Sequence, residues 1–291
     1  MTSIVITGVT GFLGSHLARY FITEKYDVYG IKREHSSLDK LKDISSSINF
    51  INIDKDSLPE QLAAIKPAAI FHTACSYGRK NEKPSSILET NLIFSLQILE
   101  AAIDAEVECF INADSALAHD VSDYALSKFQ FKQWGICLKD NIQFINLRIE
   151  HMYGVGDDDY KFVKWFVNQL HQQSEVIPLT TGEQQRDFIY IEDVVAAFAT
   201  AFNKRNELGA FVELDVATGV AIPVKQFLQE IVTQYSSMFS LPKSILQFGA
   251  IPYRKNDAMS PGIDPGQMKS LGWQPKVSHK EGIIRMLESL K

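Results

Sequence analysis

The chain is poor in cysteine, carries no excess of positive charge and has no apolar run approaching the roughly 20 residues that a membrane-spanning helix needs. Its three cysteines, Cys75, Cys109 and Cys137, are an odd number without metal-type spacing, which argues against both a disulfide framework and a cysteine metal centre. Cys75 and Cys109 fall at or near apolar strand-like runs, so all three are expected to be packing residues, and no metal site is expected. A formal charge of −6 speaks against nucleic acid as the principal ligand. Repeats, low-complexity tracts and flexible linkers are also lacking. The opening MTSIVITG reads directly as a strand, without the basic region and cleavage site of an export signal, and a cytoplasmic location is expected.

What is present is the balance of a globular enzyme: 291 residues, 45% hydrophobic and 22% charged. β-rich runs at 3–7, 27–31, 49–53, 68–72, 108–112 and 144–148 alternate with helical patterns at 14–24, 58–65, 86–105 and 123–138. That alternation predicts an α/β fold, a doubly wound parallel sheet of Rossmann type over residues 1–150. Beyond 150 the segments shorten, and a smaller C-terminal α/β substrate lobe is expected over 151–291, its boundary approximate and its segments interleaved. Its clearest helical patterns lie at 160–172, 192–203, 224–236 and 280–290.

The run Gly8-Val9-Thr10-Gly11-Phe12-Leu13-Gly14 joins the first strand to the first helix. Glycines there let the backbone turn tightly and approach a pyrophosphate, and the helix N-terminus supplies N–H donors. Strand before and helix after make this a dinucleotide site rather than a plain turn. The second strand ends in Lys32-Arg33, where an NAD binder places an acid for the ribose hydroxyls. Two cations there suit a 2′-phosphate, so NADPH (NADP+) is expected and NADH disfavoured. Asp54, at the end of the third strand, is positioned to accept from the adenine amine.

Asp123-Tyr124-Ala125-Leu126-Ser127-Lys128 puts a tyrosine and a lysine four residues apart, on one helix face. A phenol near pKa 10 works better at neutral pH beside a cation, and Lys128 is one turn from Tyr124. Ser115, just after the fifth strand, belongs to the sheet edge where ligands of such folds collect. With the glycine turn, this trio resembles the catalytic set of the extended short-chain dehydrogenase/reductase superfamily. The resemblance covers nearly the whole chain. Phe71-His72-Thr73-Ala74 looks like the family's motif beside the cofactor, which implies cofactor roles for His72 and Ala74. Asn91 sits at the family's helix asparagine that holds the active-site architecture. Gly182-Glu183-Gln184-Gln185-Arg186-Asp187-Phe188, with Tyr253-Arg254 and Leu271-Gly272-Trp273-Gln274-Pro275, is similar to the pattern of nucleotide-sugar epimerases, dehydratases and reductases.

That resemblance implies an enzyme acting on a nucleotide-diphosphate sugar, with Arg186 and Arg254 on the diphosphate. Arg148-Ile149-Glu150-His151-Met152-Tyr153-Gly154 followed by Lys161-Phe162, and the loop Ala74-Cys75-Ser76-Tyr77-Gly78-Arg79-Lys80-Asn81-Glu82, are similar to segments of bacterial reductases that form CDP-linked 3,6-dideoxyhexoses. They imply substrate roles for Tyr77, Arg79, His151, Lys161 and Phe162, although His151 stands where many members have asparagine. Arg148 reads equally as an internal ion pair. Family dehydratases need an Asp-Glu pair after the fifth strand, and Asp114-Ser115-Ala116-Leu117 lacks the glutamate. The reaction implied is therefore NADPH-dependent reduction of a C4 ketone on a CDP- or dTDP-linked 4-keto-6-deoxyhexose. An epimerase, a 4,6-dehydratase and a non-catalytic NADP-binding sensor are the alternatives. Relatives pair through two long helices, here 86–105 and 123–138, which implies a homodimer.

Overall fold

The computed structural model describes residues 1–79 and 81–291; Lys80, within the loop singled out above, lies outside the described residues. Six strands alternate with helices as the periodicity predicts: β1 (Ser3–Thr7), β2 (Asp27–Lys32), β3 (Ile48–Asn52), β4 (Ala69–His72), β5 (Cys109–Ser115) and β6 (Gln143–Ile149). A further strand, Phe211–Val216, joins them in one parallel seven-stranded sheet, in the order Phe211–Val216, β6, β5, β4, β1, β2, β3. The order reverses between β1 and β4, the crevice where such sheets bind ligands at their carboxyl edge.

Residues 191–216 return to the sheet after the chain has passed 150. The helix Ile191–Asn203 covers the face shared with the first helix, Phe12–Thr23, and Phe202 packs within 6.1 Å of Phe21 and 5.5 Å of Phe71. The opposite face is covered by Leu58–Ile65, Pro84–Asp104 and Asp123–Cys137, which bury Leu62, Ile98, Leu99 and Phe131.

Pro84–Asp104 corrects one expectation. It has 21 residues, and an 18-residue stretch of it has a mean hydropathy of 1.3, enough by length and composition to cross a membrane. One side of it nonetheless packs on the sheet. Its middle, Glu89–Ile93, is wound as a π-helix, a widening of the kind that often marks functional positions.

The remaining segments form a smaller lobe over the carboxyl edge. Three short strand pairs hold it: His151–Tyr153 beside Phe188–Tyr190, Gln185–Arg186 beside Ile222–Pro223, and Val176–Leu179 beside Ile245–Phe248. Its core stacks Phe188 on Phe227 at 3.7 Å between ring centroids. Strand alternation explains Arg186-Asp187-Phe188: Arg186 lines the cleft, while Asp187 staples a loop by accepting from the backbone N–H groups of Thr218, Gly219 and Val220 at 2.7–3.1 Å. Leu271-Gly272-Trp273 is likewise structural, since the Trp273 indole donates to the Asp193 carbonyl at 3.0 Å.

Candidate active site

A cleft of about 1030 Å³ runs along the carboxyl edge of the sheet beneath the lobe. At one end lies the glycine turn. Gly8 has φ +63°, and a Cβ there would sit 2.7 Å from the Ala74 nitrogen; a Cβ on Gly14 would come within 2.2 Å of the Gly8 carbonyl. Only bare backbone fits, and Gly11 caps the helix with no side chain over its first N–H groups. Those donors face the cleft together with Thr10, Phe12 and Leu13, and they fit a dinucleotide pyrophosphate. Lys32, Arg33 and Ala74 also line this end.

Asp54, His72 and Asn91 are not among the residues that line the cleft. Asp54 accepts from the Glu34 backbone N–H at 2.7 Å, so this carboxylate fixes the turn after β2. His72 is fully buried, its Nδ1 2.9 Å from the Thr7 hydroxyl and its Nε2 2.8 Å from the Ser95 hydroxyl. Thr7 in turn accepts from the N–H groups of Thr73 and Ala74, so His72 shapes the crevice through them. Burial and the nearby Lys128 charge hold its imidazole well below the usual range. Asn91, carried by the π-helical turn, accepts from Ser76 N–H at 2.6 Å and donates to the Ser76 carbonyl and the Ser127 hydroxyl at 2.8 and 2.9 Å. It ties the 74–79 loop to the tyrosine helix at Ser127.

That helix starts at Ser122, whose hydroxyl accepts from the Ala125 N–H at 3.2 Å. Tyr124 in its first turn faces the cleft, and Ser115, the last residue of β5 rather than the one after it, hydrogen-bonds the phenol. The Ser115 oxygen accepts from the Leu117 N–H at 3.2 Å, leaving its proton to donate. Asp114 is committed as well: one oxygen takes the Ser115 N–H and the other the Asn146 amide, each at 2.7 Å.

Lys128 is buried behind this surface. Burial lowers its pKa, with Cys75 and Asp114 pulling the other way. Burial raises the Tyr124 phenol well above its ordinary value, and Tyr77, Cys75 and Asp114 push it further, against the Ser115 hydrogen bond.

Tyr77 and Arg79 lie opposite. The Tyr77 ring is 4.9 Å from that of Tyr124, with the Arg79 guanidinium 5.9 Å from its centroid. Lys161 spans the two ends of the cleft, its ammonium 5.1 Å from the Phe12 ring, 4.7 Å from the Tyr77 ring and 3.2 Å from Asp157. Phe162, His151, Arg186 and Arg254 complete the lining expected for the sugar nucleotide. Arg186 is already held, by Asp257 at 2.5 Å and the Ala258 carbonyl at 2.7 Å. Arg148 lies outside, in a bidentate pair with Asp215 at 2.7 and 2.8 Å, the internal role open to it from sequence.

Among the lining residues given no role from the sequence are Cys75 and Glu150. Cys75 was expected to be inert packing, but it faces the cleft and hydrogen-bonds Tyr77; its place just past the end of β4, beside Ala74, was the available signal. Cys109 does pack, its thiol pushed up to about 12 by burial, whereas Cys137 is exposed. Glu150, one residue past β6, binds the neighbouring His151 at 2.8 Å.

Comparisons with known proteins agree with this geometry. The model of the NAD dependent epimerase/dehydratase family matches residues 4–214. The chain is 31% identical over 300 residues to a CDP-abequose synthase of Salmonella typhimurium, covering 99% of this chain and 98% of that one. It is 28% identical to the Salmonella muenchen protein of the same name, covering 98% and 96%. Among solved structures, a UDP-glucose 4-epimerase of Thermotoga maritima superposes with a TM-score of 0.84 at 24% identity, covering 99% and 98%, which shows the shared fold. Sequence, fold and site together place this chain in the NAD dependent epimerase/dehydratase family of enzymes.

Proposed function

We propose that the protein is an NADPH-dependent reductase of the C4 ketone in a nucleotide-diphosphate-linked 4-keto-6-deoxyhexose. The observation that carries this reading is the Tyr124 phenol at the cleft surface, hydrogen-bonded to the Ser115 side chain. Bound NADPH supplies a hydride. Ser115 and Tyr124 donate to the ketone oxygen, and both hydrogen bonds strengthen as that oxygen gains charge, so the transition state is stabilised selectively. Tyr124 then releases its proton to the oxygen, and the buried Lys128 and the Ser115 hydrogen bond accommodate the phenolate.

Lys32 and Arg33 at the end of β2 support NADPH over NADH. Arg254 and Arg186 suit the diphosphate, and Tyr77 and Arg79 face the hexose. The Salmonella relatives named CDP-abequose synthase favour a CDP-linked sugar, with a dTDP-linked one as the rival. Dehydration is disfavoured because both Asp114 oxygens are occupied and no glutamate follows. The enzyme is assigned to the cytoplasm. Exposed Ile93, Leu126, Phe129 and Trp134 on the two long helices support a homodimer; a monomer in sedimentation at working concentration removes that assignment.

The test follows NADPH absorbance with CDP-4-keto-3,6-dideoxyglucose and dTDP-4-keto-6-deoxyglucose, each made in situ. Turnover of one is expected. Tight NADPH binding without oxidation by either sugar overturns the reading.

A further inference from the structure

Hydride transfer with Tyr124 as acid leaves one acid/base pair in the cleft without a task. The Glu150 side chain is 4% exposed and its Oε2 lies 2.8 Å from Nδ1 of His151, whose ring is 35% exposed. A carboxylate oxygen only accepts, so Nδ1 carries the proton, and in the neutral ring Nε2 is left with a free lone pair. Both residues line the cleft that holds Ser115 and Tyr124.

The backbone holds this pair close to the catalytic serine. Ser115 is in register with Ile149 on the neighbouring strand, and the Ala116 N–H donates to the Ile149 carbonyl at 3.1 Å. Glu150 and His151 are the next two residues. Glu150 N–H is bonded to the Val216 carbonyl and His151 N–H to the Asp187 carbonyl, each at 3.1 Å, and the ring packs edge-on to Phe188 at 5.8 Å. An imidazole oriented by a buried carboxylate, with its second nitrogen open to a ligand, is the arrangement of a general base.

A C4 ketone acidifies the C–H bonds on the two carbons beside it. We propose a second activity that rests on the 4-keto-sugar reading above: His151, oriented by Glu150, removes and returns a proton on a carbon adjacent to C4. The C–H electron pair becomes the enolate double bond, and the carbonyl π pair moves to the oxygen held by Ser115 and Tyr124. The proton goes to Nε2. Its return, after exchange with water, restores the ketone, and no oxidant or reductant is consumed. Glu150 is the positioning residue, since without it the ring is free to carry its proton on Nε2.

The experiment loads the enzyme with NADP+, so that no hydride is available, and incubates it in D2O with CDP-4-keto-3,6-dideoxyglucose and, separately, dTDP-4-keto-6-deoxyglucose. Deuterium next to C4 is read by mass spectrometry, and NADPH oxidation is measured in parallel. Exchange at least tenfold above the buffer rate is expected in wild type with the sugar it reduces. The ratio of exchange to reduction should fall at least tenfold in His151→Gln and in Glu150→Gln, with His151→Asn as a second variant should the first not fold. Reduction with exchange no faster than buffer overturns the inference and leaves the reductase intact. A raised KM with the ratio unchanged makes His151 an anion contact only and also overturns it. A wild type that reduces neither sugar removes both proposals.

Discussion

The two ends of the cleft satisfy their charged and polar groups in opposite ways. At the glycine turn the donors are backbone N–H groups with no side chain over them, and the crevice is shaped from behind by His72, Thr7 and Asn91. At the lobe end the polar groups that face the cleft include several already matched to an acid: Lys161 to Asp157, Arg186 to Asp257, and the His151 imidazole to Glu150. The first end is preformed and receives an anion without rearrangement. The second must share or exchange its partners when a diphosphate arrives. Affinity for the cofactor should therefore depend on backbone shape, and affinity for the sugar nucleotide on charge balance.

The largest effect is expected between the two ends, where the chemistry lies. Tyr124→Phe should lower turnover by about 10²–10⁴-fold, the usual worth of a positioned acid, while NADPH fluorescence titration shows binding nearly unchanged. Turnover at the wild-type rate would remove the phenol from the reaction. Next comes the preformed end itself. Gly14→Ala places a Cβ 2.2 Å from the Gly8 carbonyl, a contact that only backbone movement relieves. A strain of about 1–3 kcal/mol is expected, read as a lower melting temperature together with at least tenfold weaker NADPH binding. Normal binding in this variant would mean that the turn is not the cradle.

These two cases also show how much of the site was legible in the sequence. The glycine turn, Tyr124 and Ser115 are local patterns, each fixed by spacing against a neighbouring strand or helix, and the structure brings them into one cleft. The seventh strand, Phe211–Val216, was not read because it lies among the shorter, irregular segments past residue 150, although it pairs with β6 in the main sheet. Cys75 and Glu150 were overlooked for another reason. A residue just past a strand end is lifted into the cleft by the sheet, whatever its own type suggests. Asp114 carries the converse lesson: a carboxylate beside Ser115 looks chemical until its partners, Ser115 N–H and Asn146, are seen.

A smaller effect tests whether the cofactor end discriminates by side-chain charge on top of backbone shape. Replacing Lys32 and Arg33 by neutral residues should raise KM for NADPH about tenfold, roughly 1.4 kcal/mol, with KM for NADH little changed. Equal shifts for both cofactors would reduce the pair to surface cations.

The smallest effect concerns the buried support of the preformed end. His72 is held well below the ordinary histidine range, chiefly by burial. An unfolded histidine takes up its proton near pH 6.5, while folded His72 stays neutral to much lower pH. Below about 6.5 the unfolded chain therefore binds more protons, and stability falls as pH drops, by at most about 1.4 kcal/mol per pH unit from this residue. His16, lowered by burial against its bond to the Val155 carbonyl, adds a slope of the same sign. Melting temperatures between pH 7.5 and 5.5 should decline in wild type and decline less steeply in His72→Asn, whatever that variant's absolute stability. An unchanged slope would mean that His72 gains its proton within the folded protein, and that the crevice at β1 and β4 is more open to water than the lobe end it is contrasted with.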